Sequence, residues 1–226
     1  MNDSIIRTHN LHRVYRGAGA DVHAINAVSL DIQPGVMTAV AGRSGAGKTT
    51  LLNLLCGLDQ PDEGQVWIHD TDLYTLSEAA RTALRREKIG FIFQHFGLLP
   101  LLSAAENVSV PLRMRRLERK EREHRVLEAL EMVGLRERAK HRPYELSGGE
   151  QQRVAIARAL VAHPEIILAD EPTGQLDSHT GRRVLNVMRH LTSEQGLTMV
   201  IVTHDPQAMD EADVVYHLQD GRLAEA

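Results

Sequence analysis

The sequence predicts an α/β fold with a largely parallel sheet, and three observations carry that prediction. Short aliphatic runs alternate with segments of helical period. Four runs read as strands, 36–41, 89–93, 166–169 and 199–202, and each gives way at once to polar or glycine-rich residues. Ligands of open α/β sheets bind at such carboxyl ends. The third observation is a long stretch, from 103 to 163, that shows helical periodicity and no convincing strand.

Bulk properties fit one domain with room for an insertion. The chain has 226 residues and is 42% hydrophobic, enough to fill a core, while aromatics are only 4%, so aliphatic packing must dominate. A net charge of −4 gives no general drive toward nucleic acid or acidic membrane surfaces. The lone cysteine, Cys56, has no internal partner, which fits a reducing compartment and reads as a small apolar core residue. The opening MNDSIIRTHN has no basic start followed by an apolar run, so no signal peptide is expected. No segment approaches the roughly 18 apolar residues that span a bilayer. A role at a membrane would need another chain to supply the span.

Within the middle stretch, Val126, Leu127, Leu130 and Val133 recur on one helical face and Gly134 follows as a C-cap. Between positions 113 and 142 eleven Lys/Arg stand against six Glu. A solvated helix face laced with ion pairs explains that excess, and a docking surface beside a membrane partner is the other reading.

After the first strand comes GRSGAGKTT, in which Gly42, Gly47, Lys48 and Thr49 match G-x-x-x-x-G-K-[ST] between a strand and a helix. Gly42, Gly45 and Gly47 let the backbone curl so that N–H groups, with those of Arg43, Ser44, Ala46 and Thr50, face phosphate oxygens. The helix beginning near Lys48 adds its positive dipole end. Lys48 would reach the β- and γ-phosphates and the Thr49 hydroxyl would ligate Mg²⁺. No guanine-reading Asn-Lys-x-Asp occurs, so the expected nucleotide is ATP.

The third strand ends in Asp170 and Glu171. Asp170 would hold the Mg²⁺ shell, and Glu171 would polarise a water toward the γ-phosphate. The second strand ends near Gln94 and the fourth near His204, placing two more polar groups beside the γ-phosphate. The other eleven histidines show no metal-ligand spacing, and no zinc site is assigned.

A second helix start is less ordinary. Ser147, Gly148, Gly149 and Glu150 satisfy the capping box S-x-x-E before a helix expected to run to about His163, where Pro164 stops it. Capping accounts for the serine and glutamate but not for two glycines, each worth about 1 kcal/mol less than alanine in a helix. Glycine at a helix start permits close approach of an anion, so the chain carries two phosphate-type helix starts where one nucleotide needs one.

With LSGGEQQR at 146–153, the motifs together closely resemble the ATP-binding cassette ATPases, over essentially the whole chain. The resemblance implies a P-loop NTPase (RecA-like) α/β core, residues 1–94 and 164–226, with an inserted α-helical subdomain at 95–163 and an N-terminal antiparallel β portion. It implies that ATP binding draws two copies into a homodimer. Ser147, Gly148, Gly149 and Glu150 of one copy then cover the nucleotide held by the phosphate loop of the other. It assigns Gln94 to the Mg²⁺ and γ-phosphate sensing loop, Asp177 to the loop crossing the dimer interface, His204 to the switch histidine, and Tyr15 to the aromatic that stacks on adenine.

GLLPLLSAAENVSVPL, GEQQRVAIARAL and LADEPTGQLD are most similar to the lipoprotein-release, macrolide-efflux and cell-division group of that family. That implies a separate integral membrane permease as partner, moved mechanically by ATP hydrolysis, and a peripheral location on the cytoplasmic face of the inner membrane. The permease contact is expected around Gln94 and the helices that follow. Gln175 stands where the group commonly has asparagine and Arg43 where it commonly has proline, and neither departure removes a catalytic group. A soluble cassette ATPase acting on DNA or ribosomes would be expected to carry a coiled-coil insertion or a second cassette. A metabolic kinase would leave the 146–153 motif unexplained.

Overall fold

The computed structural model describes residues 4–17, 20–115 and 117–224. Arg116, one of the eleven cations of the middle stretch, and the first three residues of the N-terminal segment lie outside the described residues.

Two sheets form the frame. The smaller contains β1 (Ile6–Tyr15), β2 (Val22–Val28), β3 (Asp31–Ile32), β5 (Glu63–Ile68) and β6 (Thr71–Asp72), all antiparallel in the order β2-β1-β5-β6 with β3 also paired to β1. The larger has the order β11-β10-β4-β9-β8-β7, from β4 (Met37–Ala41), β7 (Ile89–Ile92), β8 (Ile166–Asp170), β9 (Thr198–Thr203), β10 (Val214–Gln219) and β11 (Arg222–Leu223). Its strands β10, β4, β9, β8 and β7 are parallel. This is the α/β P-loop architecture with an antiparallel N-terminal sheet that the sequence led us to expect. All four predicted strands are present, displaced by at most one residue at either end.

These strands read as unbroken apolar runs because both faces of the larger sheet are covered. Ile167 and Ala169 of β8 face one core, with Met199 and Ile201 of β9 and with Val184, Leu185 and Met188 of a long helix. Ile166 and Leu168 face the other, with Val200, Val202 and the leucines 51, 52, 54 and 55. The period of two in a strand sends neighbours to opposite cores.

Seven α-helices accompany the sheets in the described residues: α1 (Lys48–Leu55), α2 (Glu78–Lys88), α3 (Ala104–Ser109), α4 (Arg119–Met132), α5 (Gly148–Leu160), α6 (Ser178–Gln195) and α7 (Pro206–Asp210). Three of them, α3, α4 and α5, fall between β7 and β8, where helical period alone was legible. On α4 the buried face is Val126, Ala129 and Leu130, and Leu127 is only partly covered. Gly134, at φ 69°, closes α4 in a Schellman motif: its N–H donates to Glu131 and that of Leu135 to Leu130. Ion pairs Arg119–Glu123 and Arg125–Glu121 lace the solvated face. The helix expected to reach His163 ends at Leu160, one turn early, with His163 turned to φ 50°.

The C-terminal half of α5 lies hard against β7. A Cβ on Gly90 would stand 2.6 Å from the Ala159 carbonyl and 2.5 Å from Ile167, so only glycine fits. Arg158, partly buried and without a carboxylate partner among the described residues, donates to the carbonyls of Phe96 (2.8 Å) and Gly97 just beyond β7.

Candidate active site

Strand order sets the site. The neighbours β4, β9, β8 and β7 end at nearly the same level, with Ala41 opposite Thr203, Val202 opposite Asp170, and Ala169 opposite Ile92. Their carboxyl ends deliver the phosphate loop, His204, Asp170 with Glu171, and Gln94 in a row spanning about 14 Å at strand spacing. Ser44, Gly45, Gly47, Lys48, Thr49, Thr50, Gln94, Asp170, Glu171, His204 and Tyr15 line one cleft of ≈ 680 Å³.

Backbone conformation prepares the anion end. Gly47 is the N-cap of α1 at φ 101°, and no side chain caps the helix. A Cβ there would lie 2.1 Å from the Ala24 carbonyl, so the turn is closed to every other residue. Gly45, at φ 83°, faces open space. The uncapped N–H groups and the helix dipole suit an anion. Lys48, 7% exposed, donates to the carbonyls of Gly42 (2.8 Å) and Arg43 (3.1 Å) and pairs with Glu171 at 3.1 Å.

The Thr49 hydroxyl donates to Asp170 at 2.9 Å, bringing two hard oxygen ligands together at the cleft, a donor set that fits Mg²⁺. Burial pushes the Asp170 carboxyl up, and the adjacent Glu171 charge adds to that. Burial also pushes Glu171 up, but bonds from His204 and Lys48 outweigh it and hold this carboxyl below its ordinary value. Glu171 sits at φ 45°, unusual for a residue with a side chain. Its carboxylate accepts from the Thr203 hydroxyl (3.1 Å) and the His204 N–H (3.2 Å), and His204 Nδ1 lies 2.9 Å away.

Several cleft residues escaped the sequence reading. Val22, His23 and Ala24 of β2 and the turn residues Asp220 and Gly221 also line it. Thr203, the polar residue that ends the fourth apolar run, is fully buried; its hydroxyl accepts from the Asp205 N–H (2.9 Å), and the Asp205 carboxylate accepts from Thr173 at 2.6 Å. Gly42, Arg43 and Ala46 line the outer side of the loop, with His217 and Gln219. Neither the 147–150 segment nor Asp177 lines this cleft. Ser147 and Glu150 form the expected capping box on α5, and Asp177 caps α6 through the N–H groups of His179 and Thr180. Gln175 is exposed.

A parallel sheet with a phosphate loop after its central strand and paired carboxylates two strands away defines a nucleotide-hydrolysing P-loop protein. The sequence profile described as ABC transporter matches residues 25–174, and the chain belongs to that family. It is an ATP-binding, ATP-hydrolysing subunit of that family's kind. It is 46% identical over 224 residues to the lipoprotein-releasing system ATP-binding protein LolD of Chromohalobacter salexigens, covering 99% of this chain and 94% of the relative. It is 44% identical over 219 residues to the macrolide export ATP-binding/permease protein MacB 2 of Yersinia pestis, covering 97% of this chain but 32% of that longer protein. Among solved structures, the dimeric cassette MJ0796 superposes with a TM-score of 0.89 at 42% identity, covering 97% of each chain. A post-hydrolysis MJ0796 dimer bound to ADP and Pi superposes equally well. No helix among the described residues is long and apolar enough to cross a membrane.

Proposed function

We propose that this chain hydrolyses Mg²⁺-ATP in the cleft described above, as half of a homodimer that drives a separate integral membrane permease from the cytoplasmic face of the inner membrane. The observation that carries the reading is the alignment of four strand ends, which brings Lys48, Thr49 with Asp170, Glu171 with His204, and Gln94 to one cleft.

Each residue then has a task that its surroundings support. The N–H groups of 43–50 and the Lys48 ammonium hold the β- and γ-phosphates, and Tyr15 offers its ring to adenine. Thr49, Asp170 and Gln94 would hold Mg²⁺, which when bound would neutralise charge on the phosphates. Glu171, ionised and gripped by Thr203 and His204, takes a proton from the attacking water. Lys48 and the α1 terminus stabilise the charge that gathers on the leaving phosphate oxygens. Ser147, Gly148 and Gly149 of the second copy close the cleft, with Asp177 at the interface. The dimeric relatives support this arrangement. Residues 95–163 form a helical subdomain that, with the loop at Gln94, bears the permease contact. Similarity along the full length of a LolD relative and to the ATPase part of MacB supports a permease that works by extraction or efflux.

Glu171→Gln tests the site. We expect turnover to fall by at least about 100-fold while ATP is retained and a dimer accumulates in size-exclusion chromatography. Wild-type phosphate release from that variant would remove Glu171 from its role. Affinity capture from detergent-solubilised membranes tests the partner: a stoichiometric permease is expected, and recovery of soluble proteins alone would overturn the transport assignment.

A further inference from the structure

Behind Tyr15 stands a charged bracket that the nucleotide chemistry above does not use. Strand β1 places Arg13 and Tyr15 two residues apart, on one face, next to register shifts at Arg13. The Arg13 guanidinium lies over the tyrosine ring, 4.8 Å from its centroid, and so covers one of its two faces. Asp59 holds both partners. It accepts from the Tyr15 hydroxyl at 2.6 Å and from Arg13 Nε at 2.9 Å, and its other oxygen meets Arg13 Nη2 at 2.8 Å.

Asp59 belongs to the loop that leaves α1, the helix whose first turn forms the phosphate end of the cleft. That loop is pinned at several points. The Tyr74 hydroxyl lies 2.7 Å from the carbonyls of both Leu54 and Asp59, between which it shares its one proton. Asp62 accepts from the Val14 N–H at 2.7 Å, its own N–H donates to His12 at 2.9 Å, and Arg13 Nη1 lies 3.5 Å from its carboxylate. A ring held by its hydroxyl and backed by a cation has lost most of its rotational freedom and keeps one open face.

We propose that Asp59 and Arg13 are positioning residues for Tyr15, fixing the face on which the base stacks and tying that face to the helix that holds the phosphates. The inference rests on Tyr15 acting as the adenine platform. It predicts that the bracket contributes to recognition of the base and not of the phosphates.

The discriminating measurement is calorimetric titration of the full chain with Mg²⁺-ATP and, separately, with Mg²⁺-tripolyphosphate, which has no base. Asp59→Ala and Arg13→Met should each weaken ATP by about 5- to 20-fold, within the range of one base–aromatic stack, and leave tripolyphosphate unchanged. The double variant should lose little beyond either single one, because the two residues act through one ring. Tyr15→Phe, which keeps the ring and loses only the hydroxyl contact, should lose less than Asp59→Ala. Asp59→Asn, which preserves an acceptor for that hydroxyl, should recover part of the affinity. Equal weakening of both ligands would make the bracket a support of the fold and overturn the proposal. Unchanged ATP affinity in Asp59→Ala, beside a clear loss in Tyr15→Ala, would overturn it too while leaving the platform intact. An unaffected Tyr15→Ala would instead remove the platform, and the inference with it.

Discussion

Two helix starts in this molecule look alike in sequence and differ in how their backbone groups are used. At α1 the N-cap is Gly47 at φ 101°, and no side chain answers the first N–H groups. At α5 the N-cap is Ser147, whose hydroxyl accepts from the Glu150 N–H while Glu150 accepts from the Ser147 N–H. The first start leaves its donors for a ligand, and the second is largely satisfied within its own chain. Its glycines also differ. A Cβ on Gly149 would meet the Thr180 methyl at 2.3 Å, so any side chain there requires that methyl on α6 to move. On Gly148 the nearest atom is a leucine methyl at 3.3 Å, Leu176 Cδ2, which can yield. In sequence alone both glycines read as room for an anion. Packing adds a second reason for glycine at 149 and offers none at 148, so the proposed approach of the second copy's nucleotide is probed more cleanly at Gly148.

The difference can be broken first at Lys48. Lys48→Met should weaken ATP on the order of 100-fold, the worth of lost charge-assisted bonds, and abolish hydrolysis. Near-normal ATP titration would mean the uncapped start does not hold the phosphates. The glycine pair comes next. Gly149→Ala should destabilise by about 1–2 kcal/mol, overpacking less a gain in helix propensity, and lower Tm by several degrees. Gly148→Ala should leave Tm unchanged or slightly higher while weakening ATP-driven dimerisation in size-exclusion chromatography. Matching Tm losses in the two would erase the distinction.

Smaller effects concern the cap. Ser147→Ala should cost about 1 kcal/mol in thermal unfolding. The smallest is a pH effect at Glu150, whose carboxyl is held below its ordinary 4.5 by the Ser147 N–H and hydroxyl. A depressed carboxyl stabilises above the unfolded value and loses that contribution as pH falls through the folded one. Wild type and Glu150→Gln should therefore differ in Tm at pH 7, by about 0.3–1 kcal/mol in stability, and converge as pH falls through the folded value, which lies below 4.5. A constant gap across that range would show that Glu150 acts by packing.

The parallel core was legible because its strands are covered on both faces and end where chemistry begins. Periodicity and motif spacing were enough for 36–41, 166–169 and the phosphate loop. The antiparallel sheet was legible only through resemblance. In β1 the sequence IRTHNLHRVY has mixed exposure and register shifts around Arg13, which break the alternation that marks a strand. Thr203 was visible as the polar end of an apolar run, but its partner was not, because its hydroxyl donates to Glu171 on a neighbouring strand end. Asp220 and Gly221 reach the cleft from the far end of the chain, a proximity created by β10 pairing with β4. Gly149 needed the position of α6, about thirty residues away in sequence, before its absent side chain had a meaning.

The seam between β7 and α5 has a mechanical consequence. Position 90 has no slack in which strand and helix can slide, and Arg158 grips the two carbonyls just past Gln94. Close-packed interiors are poorly compressible and transmit strain. The edge of the sheet and the helix that begins at Ser147 are therefore packed as one unit at this joint, with the loop after β7 tied to the same helix through Arg158.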